Sequence, residues 1–204
     1  MSSVSRRHAL HSIIGALSVV SGCGTRSQSQ SSPTPTARGP ADDALTDPPT
    51  VGLRNPNVAP VLRSHDPETP TDEESADTDW QSIFVTDAET AAALDFADVE
   101  GVSHAKQFLE ETDFESETVY VEQRRIGECY EQRLCWIRWT ESSVETSYAT
   151  GYRDADVACS AESNDVVAVL VRLPVALDAD RIRSRCTRTS TGSCQSLAVG
   201  ERKP

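Results

Sequence analysis

The sequence predicts a mainly β domain, either a small antiparallel sandwich or a sheet with one or two short helices packed on it, preceded by a disordered tether. Three observations carry this. After Asp113 the apolar residues recur at every second position, which puts them on one face of a strand. Residues 166–173 are apolar at every position but Arg172, rich in β-branched side chains and closed by Pro174, the pattern of a strand in the middle of a sheet. Only two stretches show helical spacing, and each is about two turns long, too short to persist without tertiary packing.

In chain order, residues 80–85 begin the domain as a short strand. Thr86, Asp87, Ala88 and Glu89 make a capping-box pattern ahead of residues 91–94, so a short helix is expected there. Ser103 is placed to cap a second helix, in which Ala105, Phe108 and Leu109 fall at i, i+3 and i+4. Along residues 118–126, Val119 and Val121 share a face, and Gly127 allows a turn. Leu134, Cys135, Trp136 and Ile137 are apolar on both faces. Val144, Thr146, Tyr148 and Tyr152 alternate with Glu145, Ser147 and Arg153, as in a strand with one wet face. The polar residues 140–143 between these two strands predict a hairpin. The count is four or five strands in residues 80–204, enough chain for one modest core.

Residues 23–79 read differently. Nine of the 11 prolines lie between Pro33 and Pro70, among Ser, Thr, Gln and acids. Such a segment buries too little apolar surface to offset its ordering entropy. It is predicted to be a disordered linker with an r.m.s. reach of roughly 40 Å; the alternative is a small folded subdomain around residues 51–62.

Ahead of the linker, Arg6 and Arg7 precede an uncharged apolar run over residues 13–20, followed by Val20, Ser21, Gly22 and Cys23. The run is about ten residues, too short to span a bilayer core of about 30 Å as a helix, and it is expected to be removed. Ser5, Arg6, Arg7, His8, Ala9 and Leu10 resemble a twin-arginine export signal, with Ala9 where that family usually carries Phe. Residues 20–23 resemble a lipobox. The resemblance implies cleavage before Cys23, a lipid on its sulfur, and a location on the extracellular face of the cell membrane. Residues 1–22 are then a signal peptide.

The full chain carries a formal charge of -13, and 17 of its 19 basic residues are Arg, the two lysines being Lys106 and Lys203. An acidic, Lys-poor, Asp/Thr/Ser-rich chain resembles haloarchaeal proteins. In about 1 M salt the Debye length is roughly 3 Å, which screens such a surface; dilute buffer leaves its self-repulsion unscreened. The acidity also argues against nucleic acid as a partner. Phe108–Phe114, Gly127 to Tyr130 with Cys135, and residues 169–174 resemble small uncharacterised haloarchaeal lipoproteins, exported by the twin-arginine route. That family implies a location and supplies no catalytic residues or cofactors.

Cys129, Cys135, Cys159, Cys186 and Cys194 remain after the lipid-bearing Cys23. In an exported domain they are disulfide candidates before they are metal ligands, and there is no Cys-x-x-Cys. Cys186 and Cys194 could close a local loop. Bridges from Cys129 or Cys135 to Cys159 are expected across the sheet, because Cys129 and Cys135 stand too far apart in extended chain to pair unless it bends.

Few residues are suited to catalysis. His104 is the one histidine in residues 80–204, at the start of a predicted helix, so a Ser-His-Asp or Cys-His arrangement depends on it alone. Asp113, Glu115 and Glu117 could line a face of an extended segment, and paired carboxylates can hydrolyse glycosides or hold a cation; the competing expectation is an acidic surface. Asp154 with Asp156, and Asp178 with Asp180, are similar pairs. Arg181, Arg183, Arg185 and Arg188 form a cationic strip that could dock an acidic partner or pair with nearby acids. The reading is a lipid-anchored cell-surface domain with a binding or envelope-structural role, held to the membrane through Cys23, with an envelope protein or polymer as partner. The alternative is an extracellular hydrolase using acidic residues.

Overall fold

The computed structural model describes residues 43–64 and 80–194 of the chain. Two four-stranded sheets stack on each other. The first has the order β1 (Leu45–Thr46), β7 (Tyr130–Trp139), β8 (Ser143–Tyr152), β10 (Ser184–Thr191). The second has the order β2 (Thr50–Asn55), β9 (Asn164–Leu173), β6 (Thr118–Gly127), β4 (Trp80–Val85). A two-stranded pair, β3 (Leu62–Ser64) with β5 (Leu94–Phe96), and two short helices, α1 (Ala88–Ala92) and α2 (Val102–Glu110), cover the outer face of the second sheet. The mainly β architecture with two short helices is the one the alternation predicts.

The second sheet is buried on both faces, and β6 is the clearest case. Its odd-numbered residues Val119 and Val121 pack with Ala168, Leu170, Phe108 and Leu109 under the helices. Tyr120 faces the first sheet and packs with Ile137, Val144 and Val171. The turn between β7 and β8 sets the register of the hairpin: the Thr140 amide donates to the Ser143 carbonyl at 2.8 Å, and Trp139 stands opposite Val144. At Cys135 the pairing shifts by one residue, a bulge that bends β7.

Residues 43–64 correct the linker expectation. They do not form a separate subdomain either. β2 runs antiparallel to β9 over its whole length, from Thr50 opposite Val171 to Asn55 opposite Val166. Val51, Leu53, Val61 and Leu62 are core residues. Val51 and Leu53 alternate with Gly52 and Arg54, a strand pattern that the surrounding prolines disguise. Pro48 and Pro49 stand just before β2, Pro56 just after it and Pro60 before β3. Prolines there punctuate strands rather than forbid them. The domain therefore begins before residue 80. The remainder of the linker expectation, residues 23–42 and 65–79, lies outside the described residues, as do Arg6, Arg7, Cys23 and the whole of residues 1–22.

Three further details differ from expectation. The N-cap of α1 is Asp87, whose carboxylate accepts from the Thr90 amide at 2.7 Å; the hydrogen bonds from Thr90 hold that carboxyl below the usual range against the opposing effect of partial burial. α2 starts two residues earlier than a cap at Ser103 would give, at Val102, with Gly101 as its N-cap at φ 87°, a left-handed conformation that favours glycine. Finally, β10 is a strand that the sequence pattern does not announce, and it pairs parallel to β8, so the first sheet is not wholly antiparallel. Its residues are mostly exposed and polar, so an edge strand of this kind carries no apolar period to read.

Two disulfides join described residues to each other. Cys129 bonds Cys159, one of the two pairings expected, and Cys135 bonds Cys194. The expected Cys186–Cys194 loop is thereby excluded. Cys186 is disulfide-bonded as well, and no described cysteine is free. The bulge at Cys135 is what frees that residue from the regular ladder to meet a partner beyond the end of β10. The Cys135–Cys194 bridge spans 59 residues, and by loop entropy such a bridge stabilises by about 4 kcal/mol. Replacing both cysteines with serine is therefore expected to lower the denaturation midpoint strongly; a chemical-denaturation curve unchanged by the replacement would contradict this.

Candidate functional site

The end of the β7–β8 hairpin far from its turn carries the most conspicuous surface feature. Tyr130 opens β7 and Tyr152 closes β8, and the ladder sets them opposite each other. Their rings stack, with centroids 4.9 Å apart and planes inclined by 26°. Tyr152 is 75% exposed and Tyr130 38%. A hydrogen bond from one phenol to the other raises the pKa of Tyr130. Large exposed aromatic side chains are the informative exception to burial, and these two are adjacent.

The pair stands on a braced base. Cys129 precedes Tyr130 and is tied to Cys159. Arg54 reaches over from β2, pairs with the buried Asp165, and donates to the carbonyls of Glu128 at 3.1 Å and Tyr130 at 2.9 Å. Arg153 donates to the Glu128 carbonyl at 3.3 Å, and the Glu128 carboxylate accepts from the Ser160 amide at 3.0 Å. A bridge and two guanidinium groups thus fix the backbone that presents the rings. Two tyrosines offer a large amphipathic contact area at low entropic cost, because each has only two side-chain torsions to immobilise.

A second polar constellation lies between the sheets. Glu122 of β6 is buried, and its carboxylate accepts three hydroxyls from the facing sheet: Thr146 at 2.9 Å, Tyr148 at 3.0 Å, and Thr187. The Arg124 guanidinium lies 3.7 Å from the centre of the Tyr148 ring. Burial, reinforced by the Glu122 charge, pushes the Tyr148 phenol well above its usual range, and burial lowers the Arg124 pKa. Three hydroxyls converge on a single carboxylate that is closed to solvent. The arrangement locks the two sheets in register.

The residues singled out in the sequence are placed as follows. Asp113, Glu115 and Glu117 sit in the turn between α2 and β6, where the oxygens of Asp113 and Glu117 are taken up by the chain itself. The Asp113 carboxylate accepts from the Glu115 amide at 3.2 Å and the Ser116 hydroxyl at 2.7 Å, and Glu117 accepts from the Asp113 amide at 3.1 Å. His104 is exposed on α2. Asp178 caps the 3-10 turn Ala179–Arg181 through the Asp180 amide. No cluster of three His, Cys, Asp or Glu suited to a metal ion occurs among the described residues.

Two of the four arginines of the strip, Arg181 and Arg188, are paired with acids. Arg181 bonds Glu141 at 2.6 Å, and Arg188 shares Glu145 with Arg138. Arg185 lies 5.2 Å over the Phe84 ring. Partial burial raises the Glu145 pKa, but the two guanidinium groups outweigh it and the net shift is downward. A depressed folded-state pKa stabilises at neutral pH, and that contribution disappears as pH falls through it.

Sequence reasoning missed the tyrosine pair and Glu122. For Glu122 the available signal was Tyr120, Glu122 and Arg124 on one strand face, opposite the threonines and tyrosine of β8. No described helix is long and apolar enough to cross a membrane. No protein-family model, curated protein or solved structure matches the chain.

Proposed function

We propose that this protein is a lipid-anchored domain of the cell surface that binds an envelope protein or polymer and performs no chemistry on it. The observation that carries the binding role is the stacked, exposed Tyr130–Tyr152 pair on its cross-linked base. Rigid aromatic surface is what interaction hot spots are made of. The disulfides support a location outside the cytosol, since such bridges persist in oxidising compartments. The proposed anchor is a lipid on Cys23, delivered by an export signal containing Arg6 and Arg7; a lipidated sulfur cannot also form a disulfide, so the anchored form requires that Cys186 be bridged to a cysteine other than Cys23. Of the acids the hydrolase alternative would use, Asp113 and Glu117 already accept hydrogen bonds within their own turn, which favours the binding reading.

Binding of the purified chain to its own envelope fraction in concentrated salt tests the role. Tyr152→Ser, alone or with Tyr130→Ser, is expected to weaken that binding by roughly tenfold or more while leaving the melting curve intact, by the usual magnitude of an aromatic hot spot. Equal retention of wild type and double variant would remove the tyrosines from the interface. Mass spectrometry of the native protein tests the anchor. Cleavage before Cys23 and a lipid on its sulfur are expected; an intact Met1, an unmodified Cys23 or a Cys23 held in a disulfide contradicts it.

A further inference from the structure

We propose that the cleft between α1 and α2 binds a free α-amino acid with a large apolar side chain. This site is distinct from the tyrosine pair. The cleft has a volume of about 350 Å³, the small end of the roughly 300–1,000 Å³ typical of small-molecule pockets. Its origin is legible in the residues. α1 is five residues long and presents Ala88, Ala91 and Ala92 to the cleft. Ala88 and Ala92 are exposed and Ala91 is half-buried, so side chains that stop at Cβ leave a groove between the helices that is open to solvent. Leu94 and Leu109 form an apolar lining continuous with the core, and Phe96 and Phe114 flank it, both half-buried.

The polar groups at the cleft select the ligand class. Lys106 and Glu110 lie four residues apart on α2 and both line the opening. Both are exposed. No ion pair joins them among the described residues; the Lys106 ammonium instead stands 5.9 Å from the centre of the Phe96 ring. Lys106 is the one lysine among the described residues of an Arg-rich, acidic chain. A simple organic anion would be drawn by Lys106 and repelled by Glu110. A simple cation meets the reverse. A zwitterion matches both, its carboxylate toward the ammonium and its ammonium toward the carboxylate, with the side chain on the apolar lining. Spacing of i, i+4 on a helix brings the two groups within about 6 Å at their Cβ atoms, a span that the two long, flexible side chains can narrow around one α-carbon.

The test uses the full chain with its bridges intact, in concentrated salt, titrated with L-leucine, 4-methylpentanoate and isoamylamine while methyl resonances of Leu94 and Leu109 are followed. Saturable shifts with leucine at millimolar concentration are expected, with weaker binding of both single-charge analogues. Lys106→Gln and Glu110→Gln, both at exposed positions, are each expected to weaken leucine binding by about threefold to fivefold, the scale of an exposed ion pair. Absence of saturable shifts with leucine overturns the proposal. So does equal binding of leucine and either analogue, or leucine affinity unchanged in both variants.

Discussion

A chain truncated to begin at Trp80 is expected not to fold. The cut removes β2, which pairs residue for residue with β9 from Thr50 to Asn55. It also removes Val51, Leu53, Val61 and Leu62, each at most 4% exposed. Burying an aliphatic side chain of this size stabilises by about 1.5–3 kcal/mol, so the four together contribute roughly 6–12 kcal/mol, an upper estimate because the unfolded chain already buries some of this area. That equals most of the roughly 5–15 kcal/mol typical of a whole domain. The loss is compounded at Gln123. This buried amide accepts from the Val61 and Leu62 amides, both at 2.9 Å, and donates to the Leu62 carbonyl at 2.8 Å. Without the segment those polar atoms are left unpaired in the core, each at a cost of about 1–3 kcal/mol. Circular dichroism and amide-proton dispersion should report an unfolded chain for the truncation at Trp80 and a cooperative melt for one beginning at Ala37. A cooperative melt of the shorter chain would return residues 43–64 to the status of a linker.

Glu122→Ala is expected to cost about 3–5 kcal/mol, the scale for deleting one member of a buried charged cluster. The alanine leaves the hydroxyls of Thr146, Tyr148 and Thr187 without their shared acceptor and removes the neighbouring negative charge from Arg124 in a dry site. Tyr148→Phe is expected to cost much less, about 1 kcal/mol, because it removes one hydrogen bond and keeps the ring against the guanidinium. A double-mutant cycle between Glu122→Ala and Thr187→Ala is expected to show coupling, since the two side chains touch across the sheets. Denaturant titration reads all of these chains. A Glu122→Ala penalty under about 1 kcal/mol is the value of a surface side chain and would mean that the carboxylate is not the clasp between the sheets.

The strands the sequence revealed are those whose burial imposes a period. β6, β7, β8 and β9 carry alternating or continuous apolar residues because at least one face of each meets the core, and the central place expected for residues 166–173 is the place of β9, between β2 and β6. The elements that escaped notice lack that imprint. β10 is an edge strand whose residues face water. β2 contributes only Val51 and Leu53 to the core from within a proline-rich stretch, so composition outweighed a two-residue signal. Tyr130 and Tyr152 lie at opposite ends of two strands, and only the hairpin register makes them one surface. Cys135 likewise meets Cys194 because of a one-residue bulge, a local irregularity without a composition of its own.

The pairing of β2 with β9 also dictates an order of events during synthesis. Leu53 leaves the ribosome well before its neighbour Ala168, roughly 115 residues later. At typical elongation rates that interval is on the order of ten seconds. Throughout it, an apolar strand waits with its edge unsatisfied. Folding then has to close one of the longest loops in the domain, a topology that slows the reaction and leaves that edge open to wrong partners until its mate appears.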